Sequence, residues 1–172
     1  MPIIECSTRI AAPRPLVWER LIDLERQPDW MHDLVDLRID TPGPLRVGTL
    51  ATGTVRMFGL TQADPVEVTA LDAPSRYAIA HIGGFTGSGE FRLEAVDDDA
   101  ATWVTWREEL RPTIDAFPIL PRLARLPLVG PLAAVAGRVL ARIADPCFAP
   151  MFRYVFTKDL QRFRRFVETG AA

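Results

Sequence analysis

Glu108 is the acidic residue whose setting in the sequence best suits chemistry. It follows Trp106 by two positions in an alternating segment, so the two side chains share one face of a strand. If Trp106 faces the concave, apolar side of a sheet, a carboxylate there is costly unless it is paired or protonated. Such a group acts as a general acid or base, or as a hydrogen-bond partner for a ligand. The alternatives are a structural partner for an arginine, or a residue at a strand end that is already in water.

His81 is the second candidate for acid–base chemistry. It shares strand parity with Tyr77 and Ile79 and is one of two histidines in the chain. The other, His32, falls on a short helix that we expect to be exposed. A single histidine in a strand is more commonly a hydrogen-bonded core or rim residue than a catalyst, and both interpretations of His81 stay open.

Three further charged residues belong to the C-terminal third of the chain. Asp159 falls within the apolar stripe of the last helix, where an exposed pair with Arg162, three residues on, is the expected explanation. Asp115 and Arg153 are candidates for the mouth of a binding site beneath an inserted segment.

The sequence contains none of the strong catalytic or cofactor signatures. It has no H-E-x-x-H pair, no phosphate-binding loop, no nucleophile elbow and no paired cysteines for a metal. The glycines between Gly83 and Gly89 do not follow dinucleotide-binding spacing and do not open a helix, so they indicate a bent strand. The acidic tip at 97–99 lacks the ligand spacing of a calcium loop. No metal and no cofactor is therefore expected.

Length and composition indicate one globular domain over residues 1–172. The chain is 48% hydrophobic and carries a formal net charge of −2, which argues against a nucleic-acid-binding protein that works by neutralising phosphates. Cys6 and Cys147 form neither a disulfide framework nor a zinc site and are expected to act as small apolar residues.

The sequence also bears on localisation. No signal peptide is visible, and the longest uncharged run, 126–137, is too short and too rich in proline and glycine to span a bilayer. A cytoplasmic protein without a transmembrane segment is expected, with weak contact to a membrane surface left open. The sequence does not determine the oligomeric state.

Short alternating segments separated by turns indicate an antiparallel meander. Pro65 lies inside one of them and marks it as an edge strand or a bulge. A short helix around 29–34 is expected before the second strand. The expected strands are Ile3–Ala11, Val35–Asp40, Val47–Phe58, Thr61–Leu71, Arg76–Ile82, Phe85–Val96 and Thr102–Arg111.

The C-terminal third supplies the cover for the apolar face of the sheet. A helical stripe is predicted after Asp145-Pro146, which suits a helix start, and Pro150 lies in the first turns. Residues 113–144 contain a proline-rich part and then a second amphipathic helix from Gly130-Pro131, and they are a candidate lid. The stripe consists of Phe148, Phe152, Val155, Phe156, Phe163, Phe166 and Val167.

The segment Ile10–Trp30, IAAPRPLVWERLIDLERQPDW, carries a family resemblance. Its pattern A-P-x-x-x-V-W-x-x-L-x-D, followed by x-P-x-W, resembles the entry of the START-like, or SRPBCC, superfamily, which includes pollen allergens and polyketide cyclase/dehydrase proteins. The resemblance covers about Ile3–Arg111 and the last helix. It implies an α+β helix-grip fold, in which a curved antiparallel sheet wraps a long C-terminal helix. Two short helices follow the first strand, and here a helical insertion at 113–144 would precede the last helix.

The resemblance also implies a function and a set of residues that line a ligand cavity. Similar proteins bind or carry a hydrophobic small molecule, such as a lipid or polyketide, in a cavity between sheet and helix. Some cyclise or dehydrate it, which would employ Glu108 or His81 as acid or base. A third hypothesis is an interaction module that docks through 113–144. The side chains expected to line the cavity are Trp30, Met57, Tyr77, His81, Phe91, Trp106, Glu108, Met151 and Val155.

Overall fold

A single antiparallel sheet is the scaffold on which the other elements are placed. The computed structural model describes residues 3–57, 60–112 and 130–170. The strands follow the alternating segments of the sequence to within a few residues. They are β1 (Ile3–Ile10), β2 (Leu34–Ile39), β3 (Leu50–Met57), β4 (Leu60–Asp72), β5 (Arg76–Ile82), β6 (Phe85–Val96) and β7 (Ala101–Pro112).

The seven strands are ordered β1-β7-β6-β5-β4-β3-β2, and each neighbouring pair is antiparallel. Strands β2 to β7 form the predicted meander, and β1 returns to pair with β7. Polar and apolar residues alternate because one face of the sheet is covered and the other meets water. Together with the C-terminal helix, this confirms the α+β helix-grip fold with its curved sheet.

The first helical elements follow from the prolines in the sequence. Helix α1 (Arg14–Ile22) has Pro15 in its first turn, where a missing amide hydrogen leaves no bond unmade. A 3₁₀ helix (Leu24–Asp29) comes next and contains Pro28. The second short helix, expected around 29–34, therefore lies earlier in the chain. The expectation was wrong because Pro28 is accommodated inside the 3₁₀ helix instead of closing the preceding one.

Pro65 lies in β4, which is an interior strand, so the edge-strand alternative was wrong; β4 does contain a register shift, but between Val68 and Ala70 and not at the proline. Pairing between β4 and β5 ends at Val66, opposite His81, and at Pro65 the strand pairs only with β3. The missing amide hydrogen therefore breaks no bond to β5. Gly83, which directly follows β5, packs closely against this proline: a Cβ at Gly83 would lie 2.4 Å from the Pro65 Cδ atom, so a side chain there would clash.

One continuous helix, α2 (Gly130–Thr169), forms the C-terminal part of the described chain. The predicted helix start at Asp145-Pro146 was wrong, since both residues lie inside α2. A proline removes one amide donor and bends or weakens a helix, but does not by itself begin a new one. Residues 113–129, the first part of the candidate lid, lie outside the described residues. No helix in the described ranges is both long and apolar enough to cross a membrane.

The core forms where α2 meets the inner face of the sheet. Phe163 and Phe166 of the predicted stripe are fully buried, and the Phe163 ring lies 4.8 Å from that of Trp30, between centroids. Trp30 also makes edge contacts with Phe91 and Trp106, each at 6.3 Å. The 3₁₀ helix, the sheet and α2 are therefore held together through one tryptophan.

Replacing Phe163 with alanine should destabilise the whole domain, because the cavity left beside Trp30 cannot be filled by a neighbouring element. The expected loss in the free energy of unfolding is about 3–5 kcal/mol, measured by urea denaturation. Arg165→Ala, an exposed change on the same helix, serves as the control and should cost less than about 0.5 kcal/mol. A loss below about 1 kcal/mol for Phe163→Ala would contradict this account of the core.

Candidate functional site

A cavity lies between the inner face of the sheet and α2. Its described lining comes from the 3₁₀ helix and the residues after it, from strands β2 to β7, and from α2. The volume open to the centres of water-sized molecules is about 130 Å³. Since one water needs about 10–15 Å³ by this measure, the cavity has room for about ten waters. Most of the lining is apolar, including Leu34, Val55, Val68, Ile79, Phe91 and Phe156.

Three charged side chains form a hydrogen-bonded cluster in the cavity wall. The His81 Nδ1 atom lies 2.8 Å from Asp64 Oδ2, and its Nε2 atom lies 2.9 Å from Glu108 Oε1. Glu108 Oε2 also accepts a hydrogen bond of 2.8 Å from the Trp106 indole nitrogen. All three charged side chains are at least nine-tenths buried. We call Asp64, His81 and Glu108 the charged cluster.

The cluster can span strands β4 to β7 because β6, which lies between His81 and Glu108, has glycines at the positions paired with them. His81 lies on β5 and Glu108 on β7, and strand spacing places β5 and β7 about 10 Å apart. On β6 the residues opposite them are Gly87 and Gly89, paired with His81 and Glu108 respectively. A Cβ at Gly89 would lie 2.6 Å from Glu108 Oε2. The glycines of this predicted glycine-rich strand therefore leave the space in which His81 and Glu108 form their hydrogen bond across β6.

The two carboxyl groups keep the imidazole protonated. Burial alone would lower the pKa of His81, but the hydrogen bonds to Asp64 and Glu108 outweigh it and raise the pKa to about 10. At neutral pH both ring nitrogens therefore donate, one to each carboxyl group. His81 has no ring nitrogen left for a further partner.

Asp64 retains one unused acceptor. Its Oδ2 atom binds His81, whereas Oδ1 is buried and has no hydrogen-bond partner in the described part of the chain. Asp64 lines the cavity, and so does Gly53, its pairing partner on β3. A buried acceptor without a donor is costly and calls for an explanation at a functional site.

A second acidic region lines the cavity where α2 meets the residues before β2. Asp159 is buried and its Oδ1 atom accepts a 3.0 Å hydrogen bond from the His32 amide. Burial raises the pKa of Asp159 to about 6, and the nearby Asp33 adds to that rise. Arg162 lies 3.8 Å away, so the predicted pair exists, but its expected exposure was wrong. The apolar stripe turns Asp159 inward, towards the sheet.

Five of the nine residues expected to line the cavity do so: Tyr77, His81, Phe91, Trp106 and Glu108. Trp30 does not appear in the described lining, because it is buried in the core beside Phe163. Met151 and Val155 were also placed wrongly. The adjacent face of α2 points inward, and Phe152 and Phe156 line the cavity in their place.

The remaining candidate residues do not contribute described side chains to the cavity wall. The side chain of Met57 and all of Asp115 lie outside the described residues, and Arg153 is exposed. Among the described residues Glu108 is paired with His81 and Trp106 and with no arginine, so the alternative of a structural arginine partner finds no support there.

Sequence reasoning missed Asp64, although a signal for it was present. Asp64 precedes Val66 and Val68 by two and four positions, so strand parity places it on the inner face with them. Gln27 was also missed; it lines the cavity and hydrogen-bonds the buried Tyr77, whose pKa burial raises. No group of three or more side chains able to hold a metal ion occurs among the described residues.

Comparison with known proteins places the chain within one family. The model for the polyketide cyclase/dehydrase and lipid transport family matches residues 1–168. No curated protein matches the sequence significantly.

Similar solved structures extend over nearly the whole chain. One is TTHA0849 from Thermus thermophilus, at 16% identity and a TM-score of 0.68, covering 99% of this chain and 100% of that one. Another is a START superfamily protein from Mycobacterium smegmatis, at 15% and 0.57, covering 83% and 91%. A third is the Zhui aromatase/cyclase from Streptomyces sp. R1128, at 19% and 0.56, covering 99% and 98%. At these identities the likeness shows the fold alone.

Substituting Gly89 with alanine should uncouple Glu108 from His81. The new Cβ would displace the Glu108 carboxyl group, removing one of the hydrogen bonds that raise the pKa of His81. We expect that pKa to fall by about one unit or more, followed by NMR titration of the imidazole. His32→Gln in both backgrounds assigns the remaining resonance to His81.

Ser88→Ala is the matched control, because Ser88 is exposed on the same strand. It should leave the titration of His81 unchanged. If the pKa of His81 in Gly89→Ala equals the wild-type value, Glu108 does not hold the imidazole proton.

Asp159→Asn should stabilise the protein at neutral pH. The folded-state pKa of Asp159 is raised to about 6, so its contribution to stability is complete below about pH 3.8 and is lost as pH rises through 6. Asparagine stays neutral and still accepts from the His32 amide. The melting temperature should rise by about 2–5 °C at pH 7.5 and differ little from wild type at pH 4.

The control for Asp159→Asn is Asp36→Asn, a change of the same type at an exposed position on β2. It should shift the melting temperature by less than about 1 °C at either pH. A gain for Asp159→Asn that is equal at both pH values would disprove the assignment to the carboxyl group.

Proposed function

Because the chain belongs to the polyketide cyclase/dehydrase and lipid transport family, we propose that it binds a hydrophobic small molecule in the cavity between the sheet and α2. The observation that carries this proposal is the cavity itself, with an apolar lining interrupted by a few convergent polar groups. Ligand pockets have this composition, in which apolar walls supply affinity and the polar groups set orientation.

The size of the cavity favours a compact ligand. Room for about ten waters corresponds to about 300 Å³ of liquid, at the lower end of the range for small-molecule pockets. Aromatic side chains form much of the wall beside the charged cluster, with Trp106 stacked on Phe91 at 4.8 Å and close to Phe156 at 4.6 Å. A ring compound suits such a wall better than an extended acyl chain.

Binding is favoured over proton-transfer catalysis by the state of the charged cluster. A general acid or base works best with a pKa near the operating pH, whereas the pKa of His81 is about 10. Both of its ring nitrogens and both oxygens of Glu108 already have partners within the protein. These contacts hold the cluster as a fixed wall. A cyclase or dehydratase that employs Glu108 or His81 is the alternative.

A neutral fluorescent naphthalene, N-phenyl-naphthylamine, tests the proposal. Its emission should rise and shift to the blue on binding, saturating at one molecule per chain. Val55→Phe places a larger side chain into the cavity and should weaken binding by at least about tenfold. Val35→Phe, at an exposed position on β2, is the control and should bind as wild type does.

Circular dichroism and thermal unfolding establish that both variants are folded. Equal binding by Val55→Phe and wild type would place the dye elsewhere and contradict the proposal. Mass spectrometry of ligand extracted after purification addresses the alternative. Under that alternative, wild type converts the extracted ligand, with loss of water or ring closure, while Glu108→Gln binds the same ligand without converting it. That outcome would establish catalysis in place of simple binding.

A further inference from the structure

In the part of the cavity wall that the structure describes, the charged groups are acidic apart from one histidine. Among the described lining residues, Asp33, Asp64, Glu108 and Asp159 are acidic, and neither lysine nor arginine occurs. His81 is the single basic group in that lining. The described wall therefore opposes a negative charge on a ligand more strongly than it opposes a positive one.

His81 does not offset this excess of acidic groups for an anionic ligand, because both of its ring nitrogens are already engaged. A carboxylate or phosphate needs a donor, and the two ring nitrogens of His81 donate to Asp64 and Glu108 at 2.8 and 2.9 Å. The Trp106 indole N–H is engaged in the same way by Glu108. An anionic ligand would have to break an existing charge-assisted bond to gain a partner here.

Asp64 presents the complementary feature, an acceptor without a donor. Its Oδ1 atom is buried and has no partner among the residues that the structure describes, and Asp64 lines the cavity. The neighbouring position on β3, Gly53, is filled by the Leu34 side chain, whose Cδ1 atom would lie 2.9 Å from a Cβ placed there. A ligand hydroxyl or ammonium group can supply the missing hydrogen bond, whereas an ether oxygen or a carboxylate cannot.

The aromatic wall near the cluster agrees with the same ligand chemistry. Trp106 and Phe91 are stacked at 4.8 Å and both line the cavity next to Glu108. This part of the wall is apolar, and its one donor, the indole N–H of Trp106, is already engaged by Glu108, so it offers an anion no partner.

We propose that this cavity selects apolar ring compounds whose polar group donates hydrogen bonds, a hydroxyl or a protonated amine, and that Asp64 binds that group. The proposal rests on the binding function above and narrows it to a ligand class. The charged cluster is then a preformed acceptor: His81 holds the carboxyl group of Asp64 in place through Oδ2, and the buried Oδ1 atom accepts from the ligand once the side chains that cover it move aside.

The test compares four naphthalenes with the same ring position substituted: naphthol, naphthylmethylammonium, methoxynaphthalene and naphthoate. Dissociation constants are measured by displacement of N-phenyl-naphthylamine at pH 7.5. Naphthol or naphthylmethylammonium should bind at least about tenfold more tightly than methoxynaphthalene, which lacks the donor, and than naphthoate. Whichever of naphthol and naphthylmethylammonium has the lower dissociation constant shows whether a neutral hydroxyl or a cation suits the site better.

Asp64→Asn should reduce the preference for naphthol over methoxynaphthalene to less than about threefold, since the amide is a weaker acceptor and loses its charge. Asp98→Asn, at the β6–β7 hairpin tip, is the control and should keep the wild-type preference. If Asp64→Asn does not fold, the comparison of naphthol with methoxynaphthalene on wild type decides alone.

The outcomes separate this inference from the function on which it rests. If methoxynaphthalene or naphthoate binds as tightly as the two donors, the ligand class is wrong while the binding function stands. If the preference exists but Asp64→Asn retains it, Asp64 is not the group that binds the donor. If neither the dye nor any of the four compounds binds, the binding function itself fails.

Discussion

The hydrogen-bonded link from Asp64 through His81 to Glu108 is the constraint on which the rest of the site depends. Two acidic side chains and one histidine are buried together, and each would be costly alone. Their mutual bonds make burial tolerable, but only if the imidazole reaches both carboxyl groups at once. That requirement fixes the register of strands β4 to β7 around the cluster and forbids a side chain at Gly89. The wall of the cavity is therefore set by electrostatics as much as by packing.

Trp106 connects this charged wall to the hydrophobic core. Its indole nitrogen bonds Glu108, while its ring packs against Phe91, Phe156 and the edge of Trp30. Trp30 in turn contacts Phe163 on α2. The position of the helix and the position of the charged cluster are thus coupled through a few aromatic rings. A change in how α2 sits on the sheet would be felt at Glu108, which is why fold and site cannot be treated as independent.

The strands and the inward direction of Glu108 and His81 could be predicted, because strand parity is a local property of the sequence. What joins them could not, since the bond depends on which strands are neighbours and on the pairing of Gly89 with Glu108. The prediction of which α2 residues line the cavity was wrong for another reason. An apolar stripe as broad as that of α2 leaves the helix rotation undetermined by about one residue, so Val155 was chosen where Phe156 faces the cavity.

The cost of the charged cluster is an argument for the proposed ligand-binding function in addition to its effect on strand register. Replacing a buried ionic group with well-packed apolar residues is often neutral or stabilising, and strand neighbours such as Val66 and Ile79 show that this wall accepts aliphatic side chains. A purely structural solution would therefore leave no unpartnered oxygen on Asp64. Asp159, also buried with its pKa raised to about 6, carries a similar cost on another part of the lining. Costly groups that face the same cavity are typical of functional sites, which agrees with the binding function proposed above.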